Sequence, residues 1–418
     1  MASKGSVTFN ILAATAALVV ANVIRMRVLP IDFKSKNVLE YPNESLYNFT
    51  ELANRYGYHS EEHTVVTEDG YILNVFRINS GNCDGRMKGP PVVLMHGLLL
   101  SSDAWLDAGP EAGLAYLLAD SCYDLWVGNQ RGNYYARRHL TLNPDKDPSF
   151  WDFSIDEIGF YDIPATIDYV LRNTGFGKLN YIGYSQGAGT FFVMCSERPG
   201  YCNKVNVVIG LAPAARQTHT KSMAYRLLAT GISALEDPLS QSGFREIFSK
   251  TSPLQEIAKF ICQVRFLSEP LCGNFISGFF DSYHPGSITN RTLGMMFSHF
   301  PAGTSLHTMA RYGQSMQTDQ FQKFDYGAAR NMKKYGCKEP PKYNLSSVTP
   351  PMVILYGRND HLVDTKDVYW LVNELPNVLE VEEVADPLWN HFDVAYSQYV
   401  NQRIFPTVYK YLEHFSTT

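Results

Sequence analysis

The sequence lacks a strong charge of either sign, because 36 lysines and arginines oppose 41 aspartates and glutamates and leave a formal net charge of −5. Without an excess of positive charge, nothing in the composition favours a nucleic-acid partner. None of the seven cysteines has the spacing of a zinc site, and we expect neither a metal ion nor another cofactor. A composition that is 45% hydrophobic and 13% aromatic excludes disorder and supplies ample apolar material for a core.

Long apolar runs are also scarce, since only residues 7–24 approach the roughly 20 residues that span a bilayer. This run follows Lys4, is interrupted by polar residues, and contains Val19 and Ala21 where a signal peptidase would use them. We therefore predict a signal peptide over residues 1–21, with an uncleaved membrane anchor as the alternative. A signal peptide implies either secretion or delivery to a lysosome.

Sequons and cysteines agree with export. Four Asn-X-Ser/Thr triplets predict N-glycosylation. Their acceptor residues are Asn43, Asn48, Asn290 and Asn344. The odd number of cysteines leaves at least one thiol unpaired within the chain. Cys262 and Cys272 are close in sequence, in a region without strong core patterning, and are the first choice for a disulfide. Cys195 lies in a predicted helix, and we expect it to be a buried packing residue.

Short, continuous apolar runs alternate with helical patterns along much of the chain. Such runs are typical of strands buried on both faces. They occupy residues 91–95, 123–128, 179–182, 205–211 and 351–357, with a further strand at 379–384 and an earlier pair at 63–66 and 71–78. Ser154 and Glu157 form a capping box for a helix that reaches Leu171, and Asp156 and Asp162 are expected to be solvated or to stabilise its start. The alternation predicts a mainly parallel sheet with helices on both faces.

The alternation stops between residues 214 and 348, where Phe, Met, Leu and Tyr recur at helical spacing without an obvious buried strand. We predict that this segment is a helical cap over an apolar pocket, inserted between two parts of the core at 32–213 and 349–418. Residues 32–58 lack periodicity and are expected to wrap the outside of the core. A final helix is predicted from Val394 to Phe415.

The segment Gly183-Tyr184-Ser185-Gln186-Gly187 carries the clearest chemical signal. It joins an apolar strand to a helical pattern, and a serine between glycines on such a turn is the nucleophile elbow of an α/β-hydrolase. The turn holds the serine oxygen above the edge of the sheet, and glycine on both sides lets strand and helix approach closely. Ser185 is therefore the predicted nucleophile.

A nucleophilic serine needs a base and an acid that orients the base, and in this fold they follow in the order Ser, Asp or Glu, His. Asp360 follows the predicted strand 351–357, and His391 follows the predicted strand 379–384. We predict that these two residues complete the triad. Asp364 is the alternative acid. The other histidines are worse placed for the base: His361, His414, and the cap residues His219, His284, His299 and His307.

The negative oxygen that forms during acyl transfer must meet preorganised N–H donors. The fold supplies one from the residue after the nucleophile and another from the loop after its third strand. The predicted donors are the main-chain N–H groups of Gln186 and Leu98. His96, at the start of the same loop, is expected to shape it by hydrogen bonding.

Seven motifs in unbroken order from about Tyr56 to the C-terminus resemble the acid lipase family, which includes gastric, lingual, lysosomal and insect lipases. They are His96–Leu99, Gly128–Asn133, Trp151–Glu157, Gly183–Gly187, Pro301–Ser305, Gly357–Asp360 and Asn390–Asp393. The resemblance implies the triad and the oxyanion donors named above, a movable lid within residues 214–348, and no metal. It also implies the Cys262–Cys272 disulfide. Tyr184 is a departure, because several relatives have histidine there.

The resemblance implies a secreted or lysosomal glycoprotein that hydrolyses triacylglycerols or steryl esters at an oil–water or membrane interface. We expect it to be a monomer. Two alternatives remain open at this point: an esterase for small soluble esters, and an inactive relative that binds lipid.

Overall fold

The structure is a computed structural model, and it describes residues 43–83, 87–249, 262, 272–273 and 280–416. The predicted signal peptide, residues 1–21, lies outside the described residues. Among the described helices, none combines the length and the apolar character needed to cross a membrane.

An eight-stranded sheet organises the described residues, in the spatial order β1-β2-β4-β3-β5-β6-β9-β10. The strands of this sheet are β1 (Tyr58–Val66), β2 (Ile72–Ser80), β3 (Val92–Met95), β4 (Leu125–Gly128), β5 (Leu179–Tyr184), β6 (Val205–Leu211), β9 (Met352–Tyr356) and β10 (Val378–Glu383). The β1–β2 and β2–β4 pairs are antiparallel, and the other pairs are parallel. This confirms the predicted, mainly parallel sheet. Its parallel strands end at one edge, so residues that follow β3, β5, β9 and β10 lie close together.

Helices cover both faces of the sheet. The first group consists of α1 (Phe49–Arg55), α2 (Leu114–Asp120), α3 (Ile155–Glu157), which continues through the π-helical turn Ile158–Asp162, α4 (Ile163–Thr174) and α5 (Gln186–Glu197). The last group consists of α11 (Thr365–Glu374), α12 (Asp393–Tyr396), α13 (Val400–Arg403) and α14 (Phe405–His414). One apolar core includes Ile163 of α4 and Phe191 of α5, and the other includes Leu118 of α2 and Leu412 of α14.

Helices recur in the described part of the segment between β6 and β9. It contains α6 (Met223–Ala234), α7 (Glu236–Gln241), α8 (Asn290–His299), α9 (Leu306–Ser315) and α10 (Ala328–Tyr335). It also contains β7 (Glu246–Ile247) and β8 (Thr304–Ser305), which pair antiparallel. The sequence does not predict these two strands, since strands of two residues are too short to leave an alternating pattern. We call the residues between β6 and β9 the insertion.

Two local predictions are wrong, and residues 49–55 add a helix for which the sequence shows no periodicity. This helix, α1, is capped by Asn48 and buries Phe49 and Leu52. The predicted final helix is broken into α12, α13 and α14. Asp162 is not solvated, because its buried carboxylate accepts hydrogen bonds from the main chain and the guanidinium of Arg131. The capping box of Ser154 and Glu157 is present as predicted.

Three disulfides occur in the described residues. They join Cys83 to Cys122, Cys195 to Cys202, and Cys262 to Cys272. The last pair is the predicted one. Cys195 is buried in the core as predicted, and it also forms a disulfide, because the chain turns back after α5 and brings Cys202 to a Cα–Cα distance of 5.6 Å. Cys337 is a free, exposed thiol.

Candidate active site

Ser185 lies on a sharp turn between β5 and α5, with φ of +53°. This left-handed conformation is strained for a residue with a side chain, and such strain is typical of functional sites. The flanking glycines allow the turn. A Cβ atom at Gly187 would overlap the main-chain oxygen of Met95, and one at Gly183 would lie 2.6 Å from the main-chain nitrogen of Ala188. The local geometry is that of a nucleophile elbow.

The structure brings Ser185, His391 and Asp360 into one hydrogen-bonded chain. The Nε2 atom of His391 lies 2.9 Å from the Oγ atom of Ser185, and its Nδ1 atom lies 2.7 Å from Oδ2 of Asp360. All three residues are buried. Because a carboxylate accepts hydrogen bonds, Nδ1 carries the proton and donates it, which leaves the lone pair of Nε2 facing the serine hydroxyl.

Asp360 is itself held in place by the loop after β9. Its Oδ1 atom accepts hydrogen bonds from the N–H groups of Leu362 and Val363, so that Oδ2 is directed at His391. Burial alone would lower the pKa of His391. The negative charge of Asp360, its hydrogen bond and the charge of Asp281 outweigh burial and raise the pKa of His391 above its ordinary value.

The rival residues have other partners. Asp364 is the N-cap of α11 and pairs with Lys221. The insertion histidines each contact an acid away from Ser185, in the pairs His219–Asp367, His284–Asp393, His299–Asp107 and His307–Glu236. Their positions agree with packing and ion-pair roles.

The loop after β3 lies directly against Ser185. An added Cβ at Gly97 would come within 3.0 Å of the Cβ atom of Ser185. Leu98 follows Gly97 on this loop and lines the cavity beside the serine, while Gln186 is the first residue of α5. The two predicted oxyanion donors therefore belong to the segments that flank the serine hydroxyl.

His96 holds this loop to the next one, as expected. Its Nε2 atom accepts a hydrogen bond from the main-chain N–H of Gln130, so the proton is on Nδ1, which donates to the oxygen of Gly97. Complete burial lowers the pKa of His96 to about 4, with minor opposition from its hydrogen bond to Gly97. The imidazole is therefore neutral at neutral pH, as both hydrogen bonds require.

An apolar cavity of about 270 Å³ opens beside Ser185. Its wall combines the loop after β3, represented by Leu99, with side chains of the insertion. The insertion residues include Tyr225, Leu228, Phe297, Met309 and Tyr312. Tyr184 of the elbow and His391 complete the wall, so the hydrogen-bonded chain faces an apolar space.

Sequence reasoning missed Asp281. This buried aspartate of the insertion accepts a hydrogen bond from the main-chain N–H of His391. No local motif distinguishes it, because its partners lie far away in the chain. Within the described ranges, no group of three or more His, Cys, Asp or Glu side chains is arranged to hold a metal ion.

Three of the predicted glycosylation residues, Asn48, Asn290 and Asn344, are exposed, and Asn43 begins a short 3-10 turn. An exposed side chain is what a glycan requires, and glycosylation of these four residues stays a prediction.

Family models and known proteins resemble this chain in sequence. The models described as a partial alpha/beta-hydrolase lipase region and an alpha/beta hydrolase fold match residues 49–109 and 90–229. Lipase 1 of Drosophila melanogaster is 39% identical over 87% of this chain and 79% of that protein. Human gastric triacylglycerol lipase is 37% identical over 87% of this chain and 90% of that protein. Human lipase member K is 35% identical over 89% of this chain and 92% of that protein.

The chain belongs to the acid lipase family. It is therefore a carboxylic ester hydrolase, a lipase, with the α/β-hydrolase fold, and both the predicted family and the predicted fold class are confirmed. Solved structures support the fold of this lipase at lower identity. A Sulfolobus solfataricus protein aligns with a TM-score of 0.58 and 12% identity over 86% of this chain and 95% of that one.

Proposed function

We propose that this lipase hydrolyses fatty-acyl esters of neutral lipids, triacylglycerols or steryl esters, through an acyl-enzyme on Ser185. The observation that carries the proposal is the hydrogen-bonded chain from Asp360 through His391 to Ser185, at the wall of an apolar cavity. The relative named gastric triacylglycerol lipase supports the choice of substrate class.

In the proposed reaction, Nε2 of His391 removes the proton from Oγ of Ser185 as that oxygen attacks the ester carbonyl carbon. The N–H groups of Leu98 and Gln186 bind the oxygen that becomes negative. His391 then gives its proton to the leaving alcohol. A water molecule, activated by His391, releases the fatty acid and restores Ser185. Asp360 keeps the imidazole oriented and stabilises its charged form.

The cavity accounts for a fatty-acyl substrate. Each buried methylene group contributes about 0.8 kcal/mol to binding, so an apolar wall rewards a long acyl chain more than a short one. Much of that wall comes from the insertion, including Leu228 and Met309. In this proposal residues 214–348 act as the cap, with a lid inside them, over the two core segments 32–213 and 349–418.

The proposed setting is the exterior of the cell or the lysosome, reached through the signal peptide at residues 1–21. Three disulfides support an oxidising compartment, because such bonds persist there and are rare in the cytosol. The proposed form is a monomeric glycoprotein that acts at an oil–water or membrane interface and needs no metal ion.

The test compares hydrolysis of emulsified trioleoylglycerol with hydrolysis of dissolved p-nitrophenyl butyrate, in wild type and in Ser185→Ala. We expect strong activity on the emulsion that is lost in Ser185→Ala. Activity on the dissolved ester alone would make the protein an esterase for small substrates. A folded wild type that is inactive on both but binds lipid would contradict the proposal and favour a lipid-binding role.

A further inference from the structure

The carboxyl group of Asp281 lies between the two loops that carry Asp360 and His391, with only 2% of the residue exposed. Its Oδ1 atom accepts a hydrogen bond of 2.9 Å from the N–H of His361, the residue after Asp360. Its Oδ2 atom accepts bonds of 2.8 Å and 3.2 Å from the N–H groups of His391 and Phe392. One side chain thus binds the main chain of both loops.

The next residue repeats this arrangement. The hydroxyl of Ser282 donates to the main-chain oxygen of Asn359, on the loop after β9. The side-chain amide of Asn390, on the loop after β10, donates to the main-chain oxygen of Ser282 at 2.8 Å. We call Asp281 and Ser282 the clasp, because together they join the loop of Asp360 to the loop of His391. The clasp belongs to the insertion, not to the sheet.

The distance between the two loops decides whether Nδ1 of His391 can reach Oδ2 of Asp360. Displacements of about 1 Å in such a site cost on the order of 100-fold in rate. Asp281 contributes to this distance through the main chain, beside the direct bond from the N–H of Asn359 to the main-chain oxygen of Trp389 and independently of the Asp360–His391 hydrogen bond. The carboxyl touches no substrate in this arrangement, since its oxygens are directed at main-chain N–H groups.

Because Asp281 lies beside His391, its ionisation should affect the rate of the reaction. Burial, reinforced by the charge of Asp360, raises the pKa of Asp281 well above its ordinary value, although His391 and the main-chain donors oppose the rise. The titratable groups that face it are Asp360 and His391 on the two loops and Tyr184 at the end of β5. When Asp281 ionises, its negative charge stabilises the imidazolium that His391 becomes during the reaction.

We propose that Asp281 is a positioning residue for ester hydrolysis, which holds the loops of Asp360 and His391 in the register that their hydrogen bond requires. This inference rests on the proposed roles of Asp360, His391 and Ser185. It also gives the insertion a second task, because the segment that contributes to the cavity wall then also aligns the reacting groups.

The experiment compares wild type, Asp281→Asn, Asp281→Ala and the matched control Asp107→Asn. Asp107 is also a buried aspartate, but it accepts from His299 rather than from the loops of the triad. The kcat and KM values are measured with p-nitrophenyl butyrate, and kcat is divided by the number of sites labelled by an alkyl phosphonate. Ser185→Ala is run in parallel.

We expect Asp281→Ala to lower kcat per labelled site by about 10- to 100-fold with KM changed by less than about threefold. Asp281→Asn keeps one acceptor oxygen and should lose less, and the wild-type rate should rise relative to Asp281→Asn as the pH rises through the raised pKa of Asp281. Asp107→Asn should keep its kcat per labelled site.

Wild-type kcat per labelled site in both Asp281 variants would overturn the inference, as would equal losses in Asp107→Asn. If Asp281→Ala does not fold, the test rests on Asp281→Asn alone. A pH profile of kcat for Asp281→Asn that runs parallel to that of wild type would then count against the inference. Full activity in Ser185→Ala would instead overturn the proposed function, which keeps the two failures distinct.

Discussion

The hydroxyl group of Tyr184 donates a hydrogen bond of 2.8 Å to the main-chain oxygen of His391. The two rings also lie close together, with centroids 5.1 Å apart. The residue before the proposed nucleophile therefore helps to hold the proposed base.

Tyr184→Phe tests this contact. The variant keeps the ring but leaves the buried oxygen of His391 without this donor, which should lower the free energy of unfolding by about 1–3 kcal/mol. Because the base is less well held, kcat should fall while KM stays near the wild-type value. The control is Tyr335→Phe, which removes a tyrosine hydrogen bond of 2.9 Å to the main-chain oxygen of Phe324 in the insertion. An equal loss of kcat in the control would contradict the prediction.

Asp360 and Asp364 can be separated as candidates for the acid. Asp360→Asn should lower kcat by on the order of 10⁴, because an amide at this position favours the wrong tautomer of the imidazole. Asp364→Asn should remain close to wild type, since asparagine is an equally good N-cap for α11. Steady-state rates and thermal midpoints of both variants make the comparison. If Asp364→Asn were much less active than Asp360→Asn, Asp364 would be the acid.

The stability of the protein should depend on pH through His96. Its pKa is lowered to about 4 by burial, whereas an unfolded histidine has a pKa of about 6.5. Between these values the unfolded chain binds a proton that the folded chain does not bind. The free energy of unfolding should therefore fall as the pH falls from about 6.5 towards 4.

Urea unfolding of wild type and His96→Gln at pH 7 and pH 4.5 measures this dependence. Glutamine can accept the Gln130 hydrogen bond without titrating. We expect the loss on acidification to be larger in wild type by on the order of 2 kcal/mol. Equal losses in the two proteins would show that His96 does not contribute.

The acyl cavity predicts a dependence on chain length. Leu228 lines the cavity, whereas its neighbour Leu227 on the same helix is 67% exposed on another face. Leu228→Ala removes buried apolar contacts and should lower kcat/KM for a dissolved long-chain ester by about tenfold more than for a butyrate ester. Leu227→Ala should leave that ratio unchanged. If both substitutions changed the ratio of the two kcat/KM values equally, the cavity would not be the site that binds the acyl chain.

The parts of the site that the sequence predicts are those that depend on local contacts or on the order of strands. The elbow around Ser185 is contained in five residues, because Gly183 lies against the main chain of α5 and Gly187 lies against the main chain at the end of β3. Asp360 and His391 are separated by 31 positions, yet each follows a recognisable strand, and the order of strands places them at the same edge.

Other features depend on contacts that leave no local pattern. Asp281 meets main-chain groups 80 and 110 positions away, and helical spacing in the insertion does not tell which segment returns to the sheet edge. The Cys195–Cys202 disulfide depends on how the chain turns after α5. Asp162 is polar and lies near a helix start, so only the packed structure reveals its buried pairing with Arg131.

The proposed mechanism requires that Ser185 is the residue that reacts. Wild type, His391→Ala and Ser185→Ala are incubated with a long-chain alkyl phosphonate, and the modified peptide is identified by mass spectrometry. We predict one adduct per wild-type molecule on Ser185, slower labelling by at least about 100-fold in His391→Ala, and no adduct at this peptide in Ser185→Ala. An adduct on another residue, together with retained lipid hydrolysis in Ser185→Ala, would contradict the account.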